Sequence, residues 1–212
     1  MKVKLKSSKG RSASSNRWLM RQLSDPFVIK AKKEGLRSRA GFKIREIDAK
    51  FGLLGRGLKV VDIGAAPGGW SEYAVQKVGK GNVVAIDLLD MKPIEGVAFL
   101  RTDFTSEPAK DFIKEKLGDK ADVVLSDIAP NTTGNASLDH LQIMALVEEA
   151  YDFALEVLAP GGAFVAKVRQ GGTEAALLAR MKRDFAKVAH FKPESSRKES
   201  SETYVVAIGG KP

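Results

Sequence analysis

The run VVDIGAAPGGW, residues 60–70, constrains this chain more than any other stretch. Val60, Val61 and Ile63 favour extended backbone and glycines punctuate residues 64–69, so the run begins as a short buried strand. Asp62 stands within it, Gly64, Gly68 and Gly69 form a turn with Pro67, and a helix starts near Trp70. Strand, glycine turn and helix make the nucleotide-binding corner of a doubly wound α/β sheet, where ligands sit beyond the carboxyl ends of the strands. Glycines there let backbone N–H groups approach a ligand with no Cβ in the way. The spacing is G-A-A-P-G-G rather than G-x-G-x-x-G. That argues against a pyrophosphate cradle, and so against an NAD oxidoreductase, and for a smaller nucleoside-type ligand. S-adenosylmethionine is the leading candidate. An ordinary glycine turn is the plainer alternative, because motifs this short also match by accident.

Apolar runs and helical stretches alternate along the rest of the chain. Ser24-Asp25-Pro26 reads as a helix start, with proline suited to the first turn, and Gly35 as its stop. A second helix is expected over 38–50, with Phe42, Ile44 and Ile47 at roughly helical spacing and Gly52 beyond it. Strands are predicted at 59–63, 82–87, 98–101, 121–126, 163–168, 189–192 and 203–208, and helices from Trp70 and over 107–117, 138–158 and 173–188. Seven strands alternating with helices predict an α/β fold, a doubly wound, mostly parallel sheet covered on both faces. The organisation expected is a basic mobile arm over 1–23, a helical extension over 24–58 and a catalytic core over 59–212.

Composition narrows the function classes. No run of 18 or more apolar residues occurs, so no membrane span is expected. The basic start has no apolar h-region, which argues against secretion and for the cytosol, although its serine-rich, acid-poor character also fits an organelle transit peptide. Cysteine is absent, which removes disulfides, thiolate metal sites and cysteine nucleophiles. His140 and His190 are the two imidazoles, too few for a structural zinc site, and no metal is expected. The net charge of +9 is uneven: residues 1–50 hold 15 Lys and Arg against 4 Asp and Glu, whereas the remainder is slightly acidic. A polyanion partner accounts for this better than solubility does, since such side chains displace counterions from phosphates. A solvated basic tail is the plainer alternative. The first reading predicts RNA binding that weakens steeply as salt rises, and a flat salt titration would remove the arm from the interface.

Four acids, Asp62, Asp87, Asp103 and Asp127, lie at or near the carboxyl ends of four predicted strands, the ligand edge of such a sheet. Asp87 is placed to accept from a ribose, Asp103 from an adenine amine, and Asp127 to lie beside the reactive end of a donor. Asp62 is placed to hold the turn or to face the ligand's amino group. One such acid alone is more often a cap or turn residue, but four in register outweigh that reading. The segment Ser126-Asp127-Ile128-Ala129-Pro130-Asn131 lacks the aromatic that base-amine methyltransferases place after D/N-P-P, and a pyrimidine C5 methyltransferase needs a cysteine. Both absences favour an oxygen acceptor such as a ribose 2′-hydroxyl, which gains from alignment and from a base for its proton. Lys167 lies inside the apolar run AFVAKV at the ligand edge, where burying an ammonium is costly unless it is paired. Desolvation beside a second cation, for which Lys43 is a candidate, lets a lysine act as a base, and Glu202 is placed to orient the ammonium groups. Snorkelling of Lys167 to the sheet edge is the alternative.

From Arg37 to the end the chain resembles the FtsJ (RrmJ) family of 2′-O-ribose RNA methyltransferases. The resemblance is carried by SRAGFKIREID, VVDIGAAPGGWSEY, AIDLLDMKPIEGV, LSDIAPNTTG, VLAPGGAFVAKV and KPESSRKESSETYVVAIG, in that order. It implies a Lys-Asp-Lys-Glu tetrad at Lys43, Asp127, Lys167 and Glu202, with Lys167 as proton acceptor. Donor contacts fall on Gly68, Trp70, Asp87, Asp103 and Asp127, within the wider set that the turn supplies: Asp62, Gly64, Pro67 and Gly69. The fold implied has its last strand antiparallel. The implied cofactor is S-adenosylmethionine, and the implied partner is the large ribosomal subunit, where a monomer methylates a uridine of its RNA. Arg37, Arg39, Lys192, Arg197 and Lys198 join the arm as candidate phosphate contacts. Two readings stay open, a relative acting on transfer RNA or an mRNA cap and a non-catalytic RNA-binding protein of the same fold. Gly41 departs from the family, many of whose members have an aromatic there, and puts a substrate contact in question.

Overall fold

The computed structural model describes residue 20 and residues 23–118, 120–130, 133–169, 175–197 and 200–211. The basic arm, apart from Met20 and Leu23, and Lys198 lie outside them. The chain runs through α1 (Pro26–Lys33), α2 (Ala40–Phe51), β1 (Val60–Ile63), α3 (Gly69–Val78), β2 (Val83–Asp87) and β3 (Val97–Arg101). It continues through α4 (Glu107–Leu117), β4 (Ala121–Ser126), α5 (Ala136–Val157), β5 (Leu158–Arg169), α6 (Ala175–Asp184), β6 (Phe185–Phe191) and β7 (Glu202–Gly210). The seven strands lie in the order β3-β2-β1-β4-β5-β7-β6. β7 runs antiparallel to both its neighbours and the other pairings are parallel, as expected.

Alternation along the strands divides the core into two layers. Val61, Ile63, Val84 and Ile86 point to the side covered by α4, α5 and α6. Val60, Val83, Val123 and Leu125 point to the side covered by α2 and α3, where Ile44, Ile47, Trp70 and Ala74 meet them. Asp62 shares the parity of Val60 and is fully buried on the α2–α3 side. The chain steps outward from β1 to β2 and β3, then returns to pair β4 on the other side of β1. That reversal opens a crevice beyond the carboxyl ends of β1 and β4.

Local signals set most boundaries. Asp25 caps α1, its Oδ1 accepting from the Phe27 and Val28 amides at 3.0 and 3.4 Å. Gly52 ends α2 in the left-handed conformation, with φ 66°. Most boundaries fall within two residues of expectation, and two depart further. The helix predicted over 173–188 stops at Asp184, and β6 starts at once at Phe185. Phe185–Phe191 instead pairs with β7 from Phe185↔Gly210 to Phe191↔Tyr204, a non-local ladder that outweighs local helical spacing. β5 begins at Leu158 rather than Ala163, because Leu158 already pairs with Ala121; an irregularity then absorbs Pro160-Gly161-Gly162.

Candidate active site

Two adjacent spaces open at the crevice. The larger, a cleft of about 500 Å³, is bordered by Asp87, Leu88, Asp103, Phe104, Asp127 and Ile128 among others. The smaller, a chamber of about 50 Å³, is bordered by Ser38, Asp62, Pro67, Gly69, Trp70 and Asp127 among others. Gly64, Ala66 and Asp127 border both. The four strand-end acids therefore converge as expected but divide their work between two compartments, with Asp127 at the junction.

Each acid has local partners that fix its orientation. Asp87 accepts from the Ala66 amide at 2.8 Å and the Leu89 amide at 2.7 Å. Asp103 accepts from the Thr105 amide and hydroxyl at 2.9 and 2.8 Å. Asp62 accepts from the Ser71 hydroxyl through Oδ2 at 2.5 Å, whereas its buried Oδ1 has no partner. Burial raises the Asp62 carboxyl to about 7; the Ser71 hydrogen bond opposes this, and the charges of Asp127 and Asp87 add to it.

The glycine turn is packed closely against other parts of the protein. A Cβ at Gly64 would lie 2.3 Å from Ile128 Cγ1, and one at Gly68 would lie 2.8 Å from Ile94 Cδ1 and from Met91 Sδ. At Gly69 it would lie 2.2 Å from Ser38 Oγ. The missing side chains thus make room for other parts of the protein, and φ values of 71° at Gly64 and 100° at Gly68 demand glycine as well. Gly68 donates its amide to Ala65 within the turn at 2.7 Å and caps α3. Trp70 is buried; its Nε1 donates to the Ala40 carbonyl at 3.0 Å and its ring packs on Tyr204 at 5.5 Å.

The four residues of the expected tetrad meet beside the junction. Lys43 on α2 and Lys167 on β5 are each only 7% exposed. Lys167 Nζ lies 2.9 Å from Asp127 Oδ1 and donates to the Asp127 carbonyl at 2.8 Å. Lys43 Nζ lies 3.1 Å from Glu202 Oε2. Burial pushes the Asp127 carboxyl up, but the Lys167 and Lys43 ammonium groups, with hydrogen bonds from Lys167 and Tyr204, outweigh it and hold the carboxyl below its ordinary range. Glu202 is likewise held low: burial raises it, and the charges of Lys43 and Lys167 prevail. Snorkelling does not describe Lys167, whose ammonium is paired inside the protein.

Sequence reasoning missed Tyr204. Its hydroxyl donates to Asp127 Oδ1 at 2.8 Å, and Lys43 Nζ sits 5.6 Å from its ring centroid. The residue is fully buried and pairs across the ladder with Lys167. Burial, followed by the charges of Asp127 and Glu202, raises the phenol well above its usual range, so it stays a donor. Period-two spacing from Glu202 was the available signal.

The candidate phosphate contacts within the described residues are engaged inside the protein. Arg37 donates to the Lys92 and Pro93 carbonyls at 2.7 and 2.5 Å. Arg39 and Arg197 both pair with buried Asp25, and Arg39 also donates to the Ser195 carbonyl. Lys192 donates to the Ser200 carbonyl at 2.8 Å. His140 and His190 belong to no metal-ligand cluster among the described residues. None of the described helices is long and apolar enough to cross a membrane.

Comparison with known proteins gives the family. A family model described as FtsJ-like methyltransferase matches residues 36–210. A protein of Azorhizobium caulinodans named ribosomal RNA large subunit methyltransferase E is 55% identical, covering 99% of this chain and 89% of its own length. A protein of the same name from Acidiphilium cryptum is 54% identical, covering 99% and 93%. A solved Plasmodium falciparum chain designated a ribosomal RNA methyltransferase is 29% identical, with a TM-score of 0.73 over 82% of this chain and 98% of that one.

Proposed function

The chain belongs to the FtsJ-like methyltransferase family, and from that premise we propose that it transfers a methyl group from S-adenosylmethionine to the ribose 2′-hydroxyl of a uridine in large-subunit ribosomal RNA. The assembled subunit is the substrate, and the enzyme acts as a cytosolic monomer whose basic N-terminal region binds RNA phosphates. One observation carries the reading: Asp127 borders both the cleft and the chamber and also anchors Lys167. A donor bound across the two spaces thus has its reactive end beside the lysine.

The site suits that donor. The cleft has nucleoside dimensions, with Asp87 and Asp103 as acceptors at its edge. In the chamber the unpartnered Asp62 Oδ1 awaits a hydrogen-bond donor such as an ammonium. When bound, S-adenosylmethionine supplies an electrophilic methyl on a sulfonium. The protein's part is alignment and proton management. With the donor bound, Lys167 Nζ, having first released its own proton, would accept the 2′-hydroxyl proton during methyl transfer. Asp127, held by Tyr204, fixes Lys167 in place. The Lys43–Glu202 pair sets the second cation near the developing charge.

The test is transfer of labelled methyl to large ribosomal subunits that lack the modification, followed by alkaline digestion. Label in alkali-resistant dinucleotides is the expected result, since a 2′-O-methyl group blocks cleavage at that linkage. Label released as mononucleotides would place the methyl on a base and overturn the assignment. Label accepted only by transfer RNA or capped RNA would move the substrate but keep the chemistry.

A further inference from the structure

Arg39, Lys43 and Glu46 fall on one face of α2 and its N-terminal cap, four and then three residues apart. All three reach the segment between β6 and β7. Arg39 donates to the Ser195 carbonyl. Glu46 accepts from the Ser195 amide at 3.0 Å and from the Glu194 amide at 2.5 Å. Ser195 is fully buried and is thus gripped through both its carbonyl and its amide. Lys43, between the two grips, meets Glu202 where the segment enters β7.

One buried carboxylate closes this arrangement. Asp25 Oδ1 caps α1, while Oδ2 receives Arg39 from α2 and, at 2.9 Å, Arg197 from the β6–β7 segment. The Asp25 side chain is 5% exposed. Two guanidinium groups this close repel each other, and the carboxylate between them converts the repulsion into attraction. The opposite side of α2 is fixed against α3. A Cβ at Gly41 would lie 3.3 Å from the Gly69 carbonyl, and Trp70 Nε1 holds the Ala40 carbonyl at 3.0 Å. Helix α2 is therefore the fixed body, and the β6–β7 segment is what the carboxylate draws in.

The Lys43–Glu202 pair needs such a restraint. The Lys43 side chain is 8% exposed, but that of Glu202 is 37% exposed. An exposed carboxylate gains little from one ion pair, because solvent competes and side-chain freedom is lost. Glu202 is also the first residue of β7, paired with Arg169 at the end of the ladder, where strands open most easily. Its place beside Lys43 is therefore set by the segment that precedes it.

We infer that Asp25 is a positioning residue for methyl transfer: by gathering Arg39 and Arg197 it clamps the β6–β7 segment to α2 and so holds Glu202 on Lys43. The inference deepens the proposed function and rests on it. Asp25 borders neither the cleft nor the chamber, so it acts through the two arginines and takes no part in bond making. Glu46 is the second jaw of the same clamp.

A double-mutant cycle on methyl transfer to large ribosomal subunits tests it, with wild type, Asp25→Asn, Glu202→Ala and the double variant. Asparagine keeps an oxygen to cap α1 and removes the charge that gathers the arginines. Asp25→Asn is expected to lower kcat roughly 10- to 100-fold, the scale for a misplaced catalytic group. Affinity for S-adenosylhomocysteine should be unchanged, which also shows that the variant is folded. In the Glu202→Ala background the same substitution should lower kcat by less than about 2-fold, because the pair it positions is already gone. Full additivity would overturn the inference by assigning Asp25 a structural role independent of the pair. A wild-type kcat in Asp25→Asn, or an effect confined to KM for the subunit, would overturn it as well. Should Asp25→Asn fail to fold, Glu46→Gln, at the more exposed jaw, enters the same cycle with the same two outcomes. Glu202→Ala at the wild-type rate would instead overturn the role given to the Lys43–Glu202 pair, and wild type that labels no large-subunit RNA would overturn the proposed function, each taking this inference with it.

Discussion

Lys167→Ala is expected to lower the methyl-transfer rate by about 10²- to 10⁴-fold, the usual contribution of a positioned general base. The loss should fall on kcat, with affinity for S-adenosylhomocysteine largely kept, because Lys167 is absent from the walls of both the cleft and the chamber. The substitution also removes a 2.9 Å ion-pair partner from Asp127. Tyr204 remains as its hydrogen-bond donor, and Lys43 remains close enough to lower its carboxyl. A thermal melt must therefore accompany the kinetics, since removing one member of a buried pair typically costs about 3–5 kcal/mol. A folded variant that binds the donor product and retains more than about a tenth of the rate would exclude Lys167 as proton acceptor.

Asp62→Asn is expected to act in opposite directions on stability and on donor binding. Burial raises the Asp62 carboxyl from 3.8 to about 7. The folded protein therefore holds the proton through a window in which the unfolded chain has lost it. Stability contributed by that proton falls as pH rises from about 4 to about 7, and the full penalty is present above 7. The rise corresponds to a cost on the order of 4 kcal/mol. The amide cannot ionise, so the variant should melt higher than wild type at about pH 8, with the gap closing toward about pH 5. It should also bind S-adenosylhomocysteine roughly 10- to 100-fold more weakly at about pH 8, for want of a carboxylate to receive the ammonium. Wild-type affinity should decline below about pH 7 and that of the variant should not. A melting difference independent of pH would show that burial does not hold this carboxyl up.

These expectations depend on features of unequal legibility. The α/β class and the ligand edge were readable because strand alternation and glycine turns are local signals, and chain reversal at a doubly wound sheet puts strand-end acids together. Lys43, Asp127, Lys167 and Glu202 were named from residue type and resemblance, and the fold brings them together as two ion pairs. Tyr204 was missed because a tyrosine in an apolar strand looks like core. Its role depends on register with Lys167 across β5 and β7. The start of β6 was misplaced for a related reason, since Phe185–Phe191 is a strand only by virtue of β7 beside it.

By itself, then, the sequence determined the order of elements, the turn that opens the ligand crevice and the chemical types gathered at its edge. Periodicity and backbone freedom are properties of neighbouring residues. Tertiary structure alone decided which polar atoms are left without partners. Asp62 Oδ1 and Ser38 Oγ share a chamber because α2 is drawn against α3 through two glycines. Arg39 and Arg197 turn inward because one buried carboxylate, Asp25, lies between them. Burial and charge pairing arise from segments distant in the chain, and only the packed molecule brings those segments within bonding distance.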